Sequence, residues 1–172
     1  MHRSDLDTTA LNETFKELAL AYTEALKADL GEALVAVVLF GSVARGEAGP
    51  QSDIDLLVIV SDLPEGRLAR HRCLEKADAA LEARLRALRQ QGILTDFSPL
   101  LKTPEEAVHL TPLYFDLLQD GLILYEREGF FSAILERLRA SFQRLGARRI
   151  RRGKIRYWEL KPDYTYGEVF EI

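Results

Sequence analysis

The stretch "VVLFGSVARGEAGPQSDIDLLVIV", residues 37–60, joins two apolar runs through a loop of glycines and polar residues and sets Asp53 and Asp55 at the head of the second run. Residues 33–40, "ALVAVVLF", are continuously apolar and partly β-branched, the pattern of a strand buried on both faces. Residues 54–60, "IDLLVIV", read the same way. The intervening "GSVARGEAGPQS" predicts a turn with at most a short helical piece. Side chains two apart on a strand share a face, so Asp53 and Asp55 present parallel carboxylates while Ile54 and Leu56 point the other way. Neighbouring carboxylates repel each other, and a pair at the mouth of a buried strand calls for a divalent cation. Upstream, Gly41 allows a tight turn and close approach to a ligand. Ser42 offers a hydroxyl and an N–H, both suited to phosphate.

Outward from this centre, Leu11, Phe15, Leu18, Tyr22 and Leu26 recur at helical spacing, predicting an amphipathic helix that ends near Gly31, with Asp7 or Thr8 as its cap. Leu74, Ala77, Leu81, Leu85 and Leu88 predict a second helix within 67–90, closed by Gly92. "ILTDFSPLLK", residues 93–102, predicts a third strand, with Pro99 favouring an edge or a bulge. Pro112 starts a short helix through Leu118, a turn at 120–121 follows, and "LILYE" predicts a short strand. A last helix spans about 130–145, with Phe131, Ile134, Leu138, Phe142 and Leu145 on one stripe. The last 25 or so residues extend neither periodicity. The fold class expected is α/β (α+β): a small mixed sheet packed with helices over 1–145, followed by a basic, aromatic-rich tail over 146–172.

At 172 residues and 47% hydrophobic composition the chain suits one packed domain. The longest uncharged apolar run, 33–44, falls short of the roughly 20 residues that span a bilayer, and the N-terminus lacks an apolar signal core, so a cytoplasmic protein without a membrane segment is expected. Cys73 is the single cysteine, which excludes an intrachain disulfide and a cysteine-based zinc site. His2, His71 and His109 are too scattered to suggest a histidine metal site. Net charge is −4, yet residues 137–156 hold nine of the 23 Lys and Arg and no acid, leaving an acidic body with a basic arm. Such an arm suits nucleic acid, an anionic cofactor or an acidic protein surface, or else forms the solvated face of a helix.

Gly-Ser, ten intervening residues and Asp-Ile-Asp, strand-flanked and accompanied by Arg45-Gly46 and Ser52, resemble the signature of the DNA polymerase β-like nucleotidyltransferase superfamily. "FGSVARGEAGPQSDIDLLV" is similar, more narrowly, to its minimal nucleotidyltransferase (MNT) group. That resemblance implies the polymerase β-like fold and a third carboxylate on a later strand, for which "ILTDFSPLL" offers Asp96. It further implies transfer of a nucleoside monophosphate from ATP or another nucleoside triphosphate to a hydroxyl, with Mg²⁺ or Mn²⁺ held by Asp53, Asp55 and Asp96. Ser42 and the Gly41-Ser42 backbone would cradle the β- and γ-phosphates. Arg45 is the candidate for a direct bidentate phosphate contact.

Members of the minimal group are often antitoxins paired with a separate HEPN-domain ribonuclease, and some adenylylate tyrosines of that toxin. The resemblance thus implies a protein hydroxyl as acceptor and a HEPN-type partner. Three alternatives stay open: a small-molecule, antibiotic-type nucleotidyltransferase, a non-catalytic module that covers a partner, and RNA binding through "RRIRRGKIRYW". A homodimer is compatible with the sequence. Tyr157, Trp158, Tyr164, Tyr166 and Phe170 make the tail too aromatic for a disordered segment, so docking on its own domain or on a partner is expected.

Overall fold

The computed structural model describes residues 8–152 and 155–172. His2 and Asp7, one of the two candidate caps, lie outside the described residues. Helix α1 (Thr8–Leu30) buries the expected stripe, Leu11, Phe15, Leu18, Tyr22 and Leu26. A 3-10 turn, Gly31–Ala33, leads into β1 (Leu34–Phe40), and α2 (Gly41–Ala44) opens the loop that β2 (Ile54–Val60) closes. There follow α3 (Arg67–Arg72), α4 (Glu75–Gln90), β3 (Phe97–Lys102), α5 (Pro104–Ala107), α6 (Leu113–Asp120), β4 (Leu122–Glu126), α7 (Phe130–Leu145), β5 (Arg148–Arg152) and β6 (Ile155–Glu159). Among the described residues no helix is long and apolar enough to cross a membrane.

Four strands form a mixed sheet in the order β3-β2-β1-β4. β1 pairs antiparallel with β2 and β4, while β2 pairs in parallel with β3. Period-two alternation sends Leu34, Val37 and Leu39 of β1, with Ile54, Leu56, Val58 and Val60 of β2, into one core against α1 and α4. Val35, Ala36 and Val38, with Leu57 and Ile59, enter a second core against α6 and α7. The consecutive pair Val35 and Ala36 can share a side because the β1–β2 register shifts there, as at a β-bulge. Asp55 belongs to the second face by the same alternation, beyond the last residues that α6 and α7 cover. The sheet therefore presents its carboxylates at an open end of a buried strand.

Three expectations need correction. The helix read across 67–90 is broken at Cys73 and Leu74, where the Cys73 and Leu74 N–H groups bond to the carbonyls three residues back, Arg70 and His71. Leu74 is fully buried while Arg67 and Leu68 of α3 are exposed, so the chain changes direction as it enters the core. The third strand is shorter than 93–102, because Leu94 donates to Pro50 O at 2.7 Å rather than to β2. Pro99 does sit on an edge strand, where its missing N–H has no ladder partner to lose. The segment after α7 contains an antiparallel hairpin, β5–β6, that no periodicity announced. It docks on its own domain: the Trp158 ring lies 4.8 Å from that of Phe142, and Leu160 packs on the same core.

Candidate active site

The loop between β1 and β2 is held from both sides. Asn12, buried in α1, accepts from the Ala48 N–H at 3.2 Å through Oδ1 and donates to Thr8 O at 2.7 Å. On the other side the Thr95 hydroxyl donates to Ser52 O at 2.7 Å. Ser52 itself closes the turn, its Oγ accepting from Gly49 N–H at 3.0 Å and its N–H donating to Gly49 O at 3.0 Å. The expected nucleotide contact at Ser52 is thus a residue whose visible work is to shape the approach to Asp53.

Asp53 is exposed and Asp55 half-buried at the start of β2. Burial pushes the Asp55 carboxyl above the usual carboxylate range, and the negative charge of Asp53 adds to this. A hydrogen bond from the Ser98 hydroxyl and the charge of Arg45 pull it partly back. The pair is therefore a like-charge site short of positive charge, with hard oxygen donors, which fits Mg²⁺ or Mn²⁺. Gly41 lies directly under it. Its φ is +73°, and a Cβ there would stand 2.2 Å from Asp55 Oδ2. Both the backbone angle and the carboxylate demand glycine.

The remaining expected residues are placed less simply. Gly41 and Ser42 open α2 beside the pair, and both are half-buried. The Arg45 guanidinium reaches toward Asp55 electrostatically but is bonded to Glu47 through Nε at 2.9 Å. Asp96 precedes β3, and the pairing of Ile54 with Phe97 sets its backbone next to Asp53, with Ile54 N–H donating to Asp96 O at 2.9 Å. Its carboxylate, however, does not join the pair. It accepts from Phe97 N–H at 2.9 Å and stands 3.9 Å from Arg89 Nη2, with a side chain 67% exposed. Among the described residues no three His, Cys, Asp or Glu side chains converge as a metal group. Three like charges do not gather without a cation between them, and Arg89 offers Asp96 the nearer counter-charge.

A cleft of about 530 Å³ adjoins the pair. Phe40 and Ser98, the lateral neighbours of Asp55 in the sheet, both line it, so it opens on the flank of that carboxylate. Arg67, Arg70 and His71 of α3 face it, and none of them was singled out by the sequence. Arg70 is fixed by a two-pronged pair with Glu106, at 2.7 and 2.8 Å, and by Pro64 O at 2.9 Å. Arg70 in turn holds the Glu106 carboxyl down at about 2. The Arg67 guanidinium and the His71 imidazole have no hydrogen-bond or ion-pair partner among the described residues. Arg70 and Glu106 lie 36 positions apart, so no local spacing could have disclosed them.

A mixed sheet carrying an acid pair against a Gly-Ser turn defines an α/β domain built to handle phosphate esters with a divalent cation. Residues 22–124 match the family model described as "Nucleotidyltransferase domain", and the chain belongs to that family. A relative from Methanocaldococcus jannaschii, whose name reads "Putative protein adenylyltransferase", is 34% identical over 142 residues, covering 81% of this chain and 88% of its own. Two solved structures are more distant. A crystal structure of "the toxin-antitoxin with AMP-PNP" is 21% identical, covers 73% of this chain and 88% of that one, and has a TM-score of 0.48. A complex of "tri-AMPylated Shewanella oneidensis HEPN toxin" with "MNT antitoxin" is 19% identical, covers 76% and 88%, and has a TM-score of 0.45.

Proposed function

We propose that this nucleotidyltransferase moves AMP from ATP to a hydroxyl of a partner protein. The observation that carries the reading is the Asp55 carboxylate seated over Gly41, which places a cation-demanding acid pair against the Gly-Ser turn. The protein acceptor is supported by the name of the Methanocaldococcus jannaschii relative, which covers most of this chain. The resemblance to the minimal group adds the expectation of an antitoxin-like role with a HEPN-type partner.

Asp53 and Asp55 would hold Mg²⁺ or Mn²⁺, which when bound neutralises charge on the reacting phosphate. The Gly41-Ser42 backbone and the Ser42 hydroxyl bind the triphosphate tail, and Arg45 exchanges Glu47 for a phosphate oxygen. In the transfer the acceptor oxygen bonds to the α-phosphorus as the bond to the bridging oxygen breaks, and pyrophosphate leaves with that electron pair. The acceptor proton passes to a carboxylate, for which Asp96 is the candidate once its side chain turns from Arg89 toward Asp53. Calorimetry of ATP binding with Mg²⁺ and with a chelator tests the core of this reading. Binding should require the metal, because the bare carboxylates repel a triphosphate, and equal affinity in the chelator would remove the assignment.

A further inference from the structure

We propose that the cleft over β3 is the acceptor site, and that it selects a ring-borne hydroxyl with acidic groups beside it, such as a tyrosine in an acidic peptide. The inference rests on the transfer reading above and adds the acceptor's place and its charge. Sheet order supplies the direction of approach. Attacking and leaving oxygens stand roughly in line across the reacting phosphorus. With the triphosphate tail at Gly41 and Ser42, just beyond β1, and the acid pair on β2, the opposite side is β3, because the strands run β3-β2-β1-β4. The cleft lies on that side and shares Ser98 with Asp55.

Its walls set the chemistry. Phe40, Pro99 and Leu100 give apolar surface, and Leu100 is left 40% exposed on the open face of the edge strand. A flat ring would cover that surface while its hydroxyl reached the acid pair. The charge at the rim is basic: Arg70 is already engaged by Glu106, which leaves Arg67 and His71 free to meet an anion. The whole chain carries a net charge of −4, so attraction of an acidic ligand would have to be local to this rim.

The test uses the full chain with Mg²⁺, a non-hydrolysable ATP analogue and two fluorescent pentapeptides, Glu-Glu-Tyr-Glu-Glu and Lys-Lys-Tyr-Lys-Lys, read by anisotropy. The acidic peptide should bind about fivefold tighter, the preference that two exposed ion pairs can supply. Arg67→Glu with His71→Glu should reverse the preference, and Arg67→Gln with His71→Gln should level it, while the affinity for the analogue, measured by calorimetry, stays within about twofold. Binding of neither peptide, equal binding, or preference for the basic one in the unmodified chain overturns the proposal. So does a parallel loss of analogue affinity in the glutamine variant, which would make the cleft the nucleotide's own seat. An analogue that fails to bind the unmodified chain at all removes the transfer reading, and this inference with it.

Discussion

Gly41→Ala probes the contact on which the site is built. Gly41 adopts φ +73°, and an alanine Cβ would stand 2.2 Å from Asp55 Oδ2 and 3.1 Å from its Cγ. The left-handed backbone alone costs an L-residue about 1–2 kcal/mol. The first contact is also 0.8 Å closer than the 3.0 Å limit that real Cβ atoms keep, so the carboxylate must withdraw. Holding that side chain off its rotamer adds about 1 kcal/mol. The variant should therefore lose about 2–3 kcal/mol of stability, and an acid displaced by nearly an ångström should cut transfer about 100-fold. The two costs separate in a double-mutant cycle. In an Asp55→Ala background the clash disappears and only the backbone cost remains, which gives a coupling of about 1 kcal/mol between the sites. Urea unfolding of the four proteins measures it. A coupling near zero would mean that the Asp55 carboxylate does not lie over Gly41, and the account of why glycine is needed there would fall.

Two further outcomes are expected. Asp53→Asn with Asp55→Asn should abolish transfer yet leave the metal-free fold as stable or more so. Asp55's carboxyl is raised above its ordinary 3.8, so its contribution is present below that pH and is lost as pH rises through the raised value. Melting from acid to neutral pH should show the double variant gaining on the parent above 3.8, with Mg²⁺ raising the melting temperature of the parent alone; a pH-independent difference would refute this. Tyr22→Phe removes a hydroxyl that donates to Asp78 Oδ1 at 2.6 Å, and should cost about 1 kcal/mol in thermal or urea unfolding. Its ring stacks 4.0 Å from Phe97, the residue after Asp96, so unchanged ATP affinity would show that the α1–β3 contact supports the fold without tuning the site.

The centre of the fold could be read in the sequence because its signals are local. The two apolar runs, the Gly-Ser turn and the acid pair fall within 37–60, and strand alternation alone sets both carboxylates on one face. Helix α7 was legible for the same reason, since Phe131, Ile134, Leu138 and Phe142 repeat at helical spacing and all are buried. What escaped depends on distance along the chain or on side-chain rotation. The Arg70–Glu106 clamp spans 36 positions, and Arg67 and His71 gain meaning only from the cleft they face. Asp96 could be assigned to a strand start, but its rotation toward Arg89 is set by a partner that comes from α4. The hairpin β5–β6 begins "RRIRR", which shows no apolar alternation, and its attachment comes instead from Trp158 on Phe142.

The order of the strands also governs how the chain emerges during synthesis. β1 meets β2 across a short loop, but its other edge waits for β4, and Ala36 pairs with Glu126. At ribosomal rates the roughly 90 intervening residues take about 5–20 s to appear. Through that interval a nascent strand reading "LVAVVLF" offers a row of free N–H and C=O groups to any other extended chain. The active-site hairpin is thus also the segment most exposed to mispairing on the ribosome, and a chain that terminates before Leu122 would keep that edge open permanently.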